Sequence, residues 1–324
     1  MKPERLTSGG WHSPSSPRPF LFAVVLLGWA WMALGQAVKA TLVSAPIGAT
    51  SAERWPRDLG YEKSELYPLA MTSLGCPLIE VDVAGTKVQL MLDTGTSSGF
   101  VLTNHAPSVR FRSEGRSEEL NADGSPRGAS ASIRVETMSV LGKAFADVGG
   151  SLSDWKMFAS DPFDGTVGLD FFLDRRLTLD YRSRAAAASA SPLPGTLDSA
   201  RYVIIDLVDP PKSQGHILYG RAIVNGREAI VYFDTGYNVS FIDPAFGEGL
   251  ASVERPGRFK TFRKGVPVEM GGLRLLLDDL REDAILRGAG FARPVALILG
   301  SDILSRFVVT IDLRAKKMIL ALAG

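Results

Sequence analysis

Apolar residues along this chain come mostly in short runs separated by glycine, asparagine and proline, a spacing that predicts strands rather than helices. Two such runs, Leu78–Val83 and Lys87–Leu92, meet at Ala84-Gly85 and form a predicted hairpin. Tyr202–Val208 and Ile217–Val224 read the same way. Glu228–Phe233 follows them across Asn225-Gly226, a dipeptide suited to a two-residue turn in which both residues take positive φ. Leu273–Leu286 breaks the pattern, because Leu273, Leu276, Leu277 and Leu280 stand at helical spacing and predict a helix face. Two regions carry no sustained period. Residues 41–74 are turn-rich and read as a linker or pro-segment. Residues 183–201, rich in alanine, serine and proline, read as a connector between two folded units, with Pro192 and Pro194 limiting any helix there.

The two units repeat one another. "VAGTKVQLMLDTG" (83–95) aligns without gaps on "VNGREAIVYFDTG" (224–236), and "GLDFFLDRRLTLDY" (168–181) aligns on "GSDILSRFVVTIDL" (300–313). Each half therefore reads hairpin, apolar strand, Asp-Thr-Gly, a variable middle, a Gly–x–Asp element, then Thr–apolar–Asp. The same alignment sets Leu273–Leu280 opposite Leu141–Val148, a stretch that reads as strand, against the helical spacing noted above.

Residues 1–40 have a different character. Lys2, Arg5 and Arg18 precede the apolar run Phe20–Leu34, and "AVKA" (37–40) follows it. A basic start, an apolar run and a small-residue exit predict a secretory signal, cleaved after Ala37 or Ala40. The alternative is an uncleaved anchor, whose tryptophans would suit a membrane interface. Both readings place the rest of the chain outside the cytoplasm: periplasmic, secreted, or held at the outer face of the inner membrane.

Composition narrows the chemistry. Against 36 lysines and arginines stand 35 acids, so a net charge of +1 offers no electrostatic reason to expect a nucleic-acid partner. Cys76 is the lone cysteine and excludes an intrachain disulfide, while His12, His105 and His216 lie far apart. That spacing argues against a zinc site and against a Cys–His nucleophile, and Ser97 and Ser98 have no histidine close in sequence. Neither metal nor cofactor is expected. What repeats is a carboxylate, with Val88–Leu92 leading into Asp93 and Ile230–Phe233 leading into Asp234.

An aspartate directly after an apolar strand is poorly solvated unless something pairs with it. A pseudo-twofold axis between the halves would bring both turns together, and two adjacent carboxylates hold one proton between them. One can then accept a proton from water while the other donates to a carbonyl oxygen. Thr94 and Thr235 carry hydroxyls able to bond across the axis. Gly95 and Gly236 permit close approach, and Thr96 and Ser97 can orient Asp93.

These residues resemble the aspartic peptidases, specifically the retropepsin-like branch of exported bacterial proteins, here as a tandem. The resemblance rests on "LMLDTGTSSGFV" and "VYFDTGYNVSFI", each followed by an apolar–Gly element, "GTVGLDFF" and "LILGSDIL". It implies an all-β, bilobal acid-protease fold. Two retropepsin-like closed barrels, 75–182 and 202–324, would face each other about a pseudo-twofold axis, so one chain acts as an internal pseudo-dimer without a partner copy. It further implies Asp93 and Asp234 as catalytic dyad, Thr94 and Thr235 as a crossed grip, and Gly168 and Gly300 in elements threading behind the two loops. A flap around Ser113–Ser132 would close over a polypeptide substrate. Two positions depart from the family pattern: Tyr237 follows the second Asp-Thr-Gly where a small or hydroxyl residue is usual, and Thr166 replaces an apolar residue. They leave open a second reading, an inactive module that keeps the fold and binds peptides.

Overall fold

The computed structural model describes residues 22–23, 39–44, 54–97, 99–104, 106, 108–120, 126–153, 163–211, 215–256, 261–284 and 291–322. The segment read as a signal or anchor lies outside them, apart from 22–23 and 39–40.

Strands dominate, as the short apolar runs require. Pro77–Val83 and Thr86–Leu92 pair antiparallel with Val83 opposite Thr86, around a turn where Ala84 and Gly85 take φ of 50° and 82°. Leu218–Val224 and Arg227–Phe233 do the same with Val224 opposite Arg227, and Asn225 and Gly226 take φ of 48° and 73°. Positive φ at both central residues gives a turn whose twist matches that of the strands it joins. In the first lobe Gly165–Val167 runs parallel to Thr86–Leu92 and antiparallel to Phe100–Thr103, threading between the strand that enters Asp93 and the strand that leaves its loop. Pairings through Pro126–Val140 and Lys143–Ser153 close that lobe into a barrel. The second lobe repeats the threading, with Val295–Leu299 parallel to Arg227–Phe233 and antiparallel to Phe241–Ile242. All five residues of Val295–Leu299 are buried, so the strand lacks the alternation of a surface strand.

The lobes are joined by a six-stranded antiparallel sheet, in the order Val203–Val208, Lys317–Leu322, Phe307–Asp312, Arg176–Asp180, Ala185–Ser189, Leu66–Pro68. At its centre Thr178 lies directly opposite Thr310, its counterpart in the repeat, and their hydroxyls are 2.7 Å apart. A residue paired with its own equivalent marks the pseudo-twofold axis.

Three expectations need correction. The leucine-rich stretch is not a helix: Leu273–Asp278 is a strand paired with Val266–Met270 across Gly271-Gly272, with Leu273, Leu275 and Leu277 buried and Arg274 exposed. Side chains at every second position pack inward, and the leucines at helical spacing were a by-product of a run rich in leucine. The connector 183–201 contains the buried strand Ala185–Ser189, whose small residues escape alternation because both faces are covered. The described residues of 41–74 are likewise built into the fold. Lys39–Ser44 pairs with Leu273–Asp278, and Leu66–Pro68 completes the joining sheet. Trp55, Leu59 and Tyr61 pack with Ala187, Tyr202, Val308 and Ile319 beneath that sheet, and Trp55 Nε1 donates to Asp180 Oδ2 at 2.8 Å.

Candidate active site

Each Asp-Thr-Gly loop begins where an apolar strand ends, and the threaded strand holds it from behind. The Asp93 amide donates to the Val167 carbonyl at 3.0 Å, and the Asp234 amide to that of Leu299 at 2.9 Å. Gly168 and Gly300 follow those strands in extended backbone. A β-carbon on Gly168 would lie 2.6 Å from the Thr96 carbonyl oxygen, and one on Gly300 would lie 2.7 Å from those of Tyr237 and Val239. No side chain fits at either point, so both glycines let the support element touch its loop.

Across the axis the two threonines interlock. Thr94 Oγ1 donates to the Phe233 carbonyl at 2.8 Å and accepts from the Thr235 amide at 3.0 Å. Thr235 Oγ1 donates to the Leu92 carbonyl at 2.7 Å and accepts from the Thr94 amide at 3.0 Å. These bonds join the lobes beneath the carboxyls and fix the loops relative to each other. Gly95 and Gly236 face the opposite carboxyl: a β-carbon on Gly236 would stand 2.5 Å from Asp93 Cγ, and one on Gly95 would stand 2.6 Å from Asp234 Oδ2.

Asp93 and Asp234 meet there, both 0 % exposed, but their surroundings differ. Asp93 Oδ1 accepts from the Gly95 amide at 2.7 Å and Oδ2 from Thr96 Oγ1 at 2.9 Å. Thr166, a departure from the family pattern, stands 2.9 Å from Thr96 Oγ1 and extends this chain of hydroxyls. Asp234 Oδ1 accepts from the Gly236 amide at 2.9 Å, while its Oδ2 has no hydrogen-bond partner. Burial raises both carboxyls above the ordinary range. For Asp93 the Gly95 amide and Thr96 hydroxyl oppose the rise; for Asp234 the Asp93 charge adds to it, and against the opposing Tyr232 phenol and Gly236 amide it still ends well above. Asp93, with donors on both oxygens, is the carboxyl better held as an anion, and Asp234 the one better suited to carry a shared proton.

Tyr237, which the sequence marked as a threat to the dyad, does not hydrogen-bond Asp234 Oδ2. Its ring packs edge-on against Phe241 at 5.4 Å, and its phenol lies in the field of Arg281. The aromatic residue that reaches the carboxyls is Tyr232, two positions before Asp234 and so on the same face of the strand. That alternation was the available sequence signal. Ser301 supports the second loop, its hydroxyl donating to the Thr235 carbonyl at 2.8 Å and standing 3.4 Å from the Tyr181 phenol. Cys76 Sγ approaches the Gly236 carbonyl at 3.5 Å. The repeated acids of the Gly–x–Asp elements hold loops: Asp170 accepts from the Gly99 amide at 2.6 Å and Asp302 from the Ser240 amide at 3.0 Å. Asp170 also pairs with His216, whose own amide bonds the Ser97 carbonyl at 3.4 Å and ties a second-lobe segment to the first loop. The stretch expected as a flap forms an antiparallel hairpin, Arg112–Leu120 with Pro126–Val140, and its tip, 121–125, lies outside the described residues. Among the described residues no three His, Cys, Asp or Glu side chains gather as a metal site, and no helix is long and apolar enough to cross a membrane.

No protein-family model matches this chain, and no curated protein matches it. Among solved structures it is similar to the aspartic proteinase from Irpex lacteus, with a TM-score of 0.52 at 12 % identity over 79 % of this chain and 96 % of that one. At that identity the likeness shows the fold: two β lobes in the bilobal aspartic-proteinase arrangement.

Proposed function

We propose that this chain is an aspartic endopeptidase that hydrolyses peptide bonds with water activated between Asp93 and Asp234. The observation that carries the reading is the pairing of two buried carboxyls with unequal hydrogen bonding: both oxygens of Asp93 accept hydrogen bonds, and only one of Asp234 does. The Asp93 carboxylate accepts a proton from water as the oxygen attacks the scissile carbonyl, and Asp234 gives its proton to the carbonyl oxygen. The tetrahedral intermediate collapses as the proton on Asp93 passes to the leaving amine. Asp234 then recovers its proton from the intermediate's hydroxyl, and the starting state returns. The backbone bonds of an extended peptide would be held by the cleft and by the hairpin Arg112–Leu120/Pro126–Val140. In this reading the substrates are exported or envelope proteins, and the enzyme works as a monomer on the far side of the inner membrane.

The test is cleavage of a diverse peptide library by the purified chain between about pH 4 and 7, beside Asp93→Asn and Asp234→Asn. Cleavage lost in both variants supports the dyad, and cleavage kept in either removes it. Complete burial of both carboxyls favours a second reading, a module that captures peptides without cutting them. That reading expects peptide binding in the wild type, no products, and unchanged binding in Asp93→Asn.

A further inference from the structure

We infer that Tyr232 is the positioning residue of the second carboxyl, its phenol holding Asp234 as the Thr96 hydroxyl holds Asp93. The consequence for turnover rests on the proposed proteolysis, and the geometry does not. In the repeat Thr96 corresponds to Tyr237, and Met91 to Tyr232. The first lobe carries its hydroxyl after the loop. In the second lobe that position holds an aromatic ring packed on Phe241, and the hydroxyl has moved to the strand before the loop.

Four buried side-chain polar atoms among the described residues lack a hydrogen bond: Ser97 Oγ, Arg176 Nε, Tyr232 Oη and Asp234 Oδ2. The last two meet at one place. A β-carbon on Gly95 would lie 2.3 Å from the Tyr232 oxygen and 2.6 Å from Asp234 Oδ2, so both oxygens crowd the same bare α-carbon. A buried donor and a buried acceptor side by side are costlier unpaired than paired, and both side chains are fully buried here. The phenol is held in place, its ring 5.2 Å from that of Tyr219, which Phe291 meets edge-on at 4.6 Å. The titratable groups facing it are Asp93, Asp234 and Tyr219; burial and these neighbours keep it protonated well above its ordinary range, so it is a permanent donor. Such a donor orients the carboxyl and stabilises its anion once Asp234 has given its proton to the substrate; the phenol proton itself does not transfer.

Tyr232→Phe keeps the ring and removes the donor. It should lower kcat about tenfold with KM within about twofold, and its pH profile should extend to higher pH on the basic side. Adding Tyr237→Thr should restore most of the loss, because a threonine there repeats Thr96. A readout independent of turnover is unfolding by urea across pH. Asp234 titrates above its unfolded value, so stability falls as pH rises between the two. Tyr232→Phe should carry that fall to higher pH in the wild type and change nothing with pH in Asp234→Asn. Superimposable pH curves for wild type and Tyr232→Phe would overturn the assignment. So would faster turnover in Tyr232→Phe, which would make the phenol an obstruction. If the wild type cuts nothing, the proposed proteolysis fails, and the stability curves still decide the role of Tyr232.

Discussion

At the scale of single residues, the dyad is a pair of carboxyls that the fold makes expensive to ionise together. Asp93→Asn and Asp234→Asn should each lower turnover by three orders of magnitude or more, by roughly the effect of removing one member of a catalytic unit, with the fold intact by circular dichroism. Stability should move the other way. Both carboxyls are raised in the folded state, Asp234 further, so the folded chain keeps protons that the unfolded chain has lost. The wild type therefore loses stability as pH rises through this window, by at most about 1.4 kcal/mol per pH unit for one proton. Asp234→Asn removes the larger part of that dependence and leaves the share that burial gives Asp93. It should be the more stable protein at pH 7, and the two should converge near pH 4; denaturation at both pH values checks the sign. The grip is a separate matter. Thr94→Val deletes one donor and leaves the buried Thr235 amide without its partner, which should cost roughly 2–3 kcal/mol, and a loss below about 0.5 kcal/mol would show that these bonds do not hold the loops.

At the scale of elements, most strands were legible because each depends on its own alternation and its own turn. Ala84-Gly85 and Asn225-Gly226 marked both hairpins, and the duplication marked Asp93 and Asp234. Elements whose identity comes from what covers them were not legible. Ala185–Ser189 has no alternation to read, since neighbours bury both faces, and Leu66–Pro68 is too short to declare itself. Leu273–Asp278 satisfied two periods at once, and only its pairing with Val266–Met270 decided between them. Trp55 tests how far these hidden elements matter. It is buried under the joining sheet and bonded to Asp180, so Trp55→Ala should destabilise the protein by about 3–5 kcal/mol. A chain in which 54–71 were a dispensable leader would tolerate the change and would survive proteolytic removal of that segment unaltered.

At the scale of the whole molecule, the joining sheet makes the lobes depend on each other. The strand Arg176–Asp180 of one half pairs with Phe307–Asp312 of the other, and the threonine grip crosses the same axis. Neither half can bury these edges alone. Calorimetry should show one cooperative transition at the pH of greatest stability, and two resolved transitions would mean that the lobes unfold as independent units.

Taken alone, the sequence determined the duplication, the strands around each Asp-Thr-Gly and the candidate dyad, because local alternation and turn chemistry act between near neighbours in the chain. The tertiary structure decided what stands at the axis. There Tyr232 rather than Tyr237 reaches the carboxyls, Thr166 joins the hydroxyls around Asp93, and Leu66–Pro68 becomes a strand of the sheet that unites the lobes, with Trp55, Leu59 and Tyr61 packed on it. Those contacts join residues far apart in sequence across surfaces that exist only once both lobes are assembled, and no periodicity within a single strand encodes them.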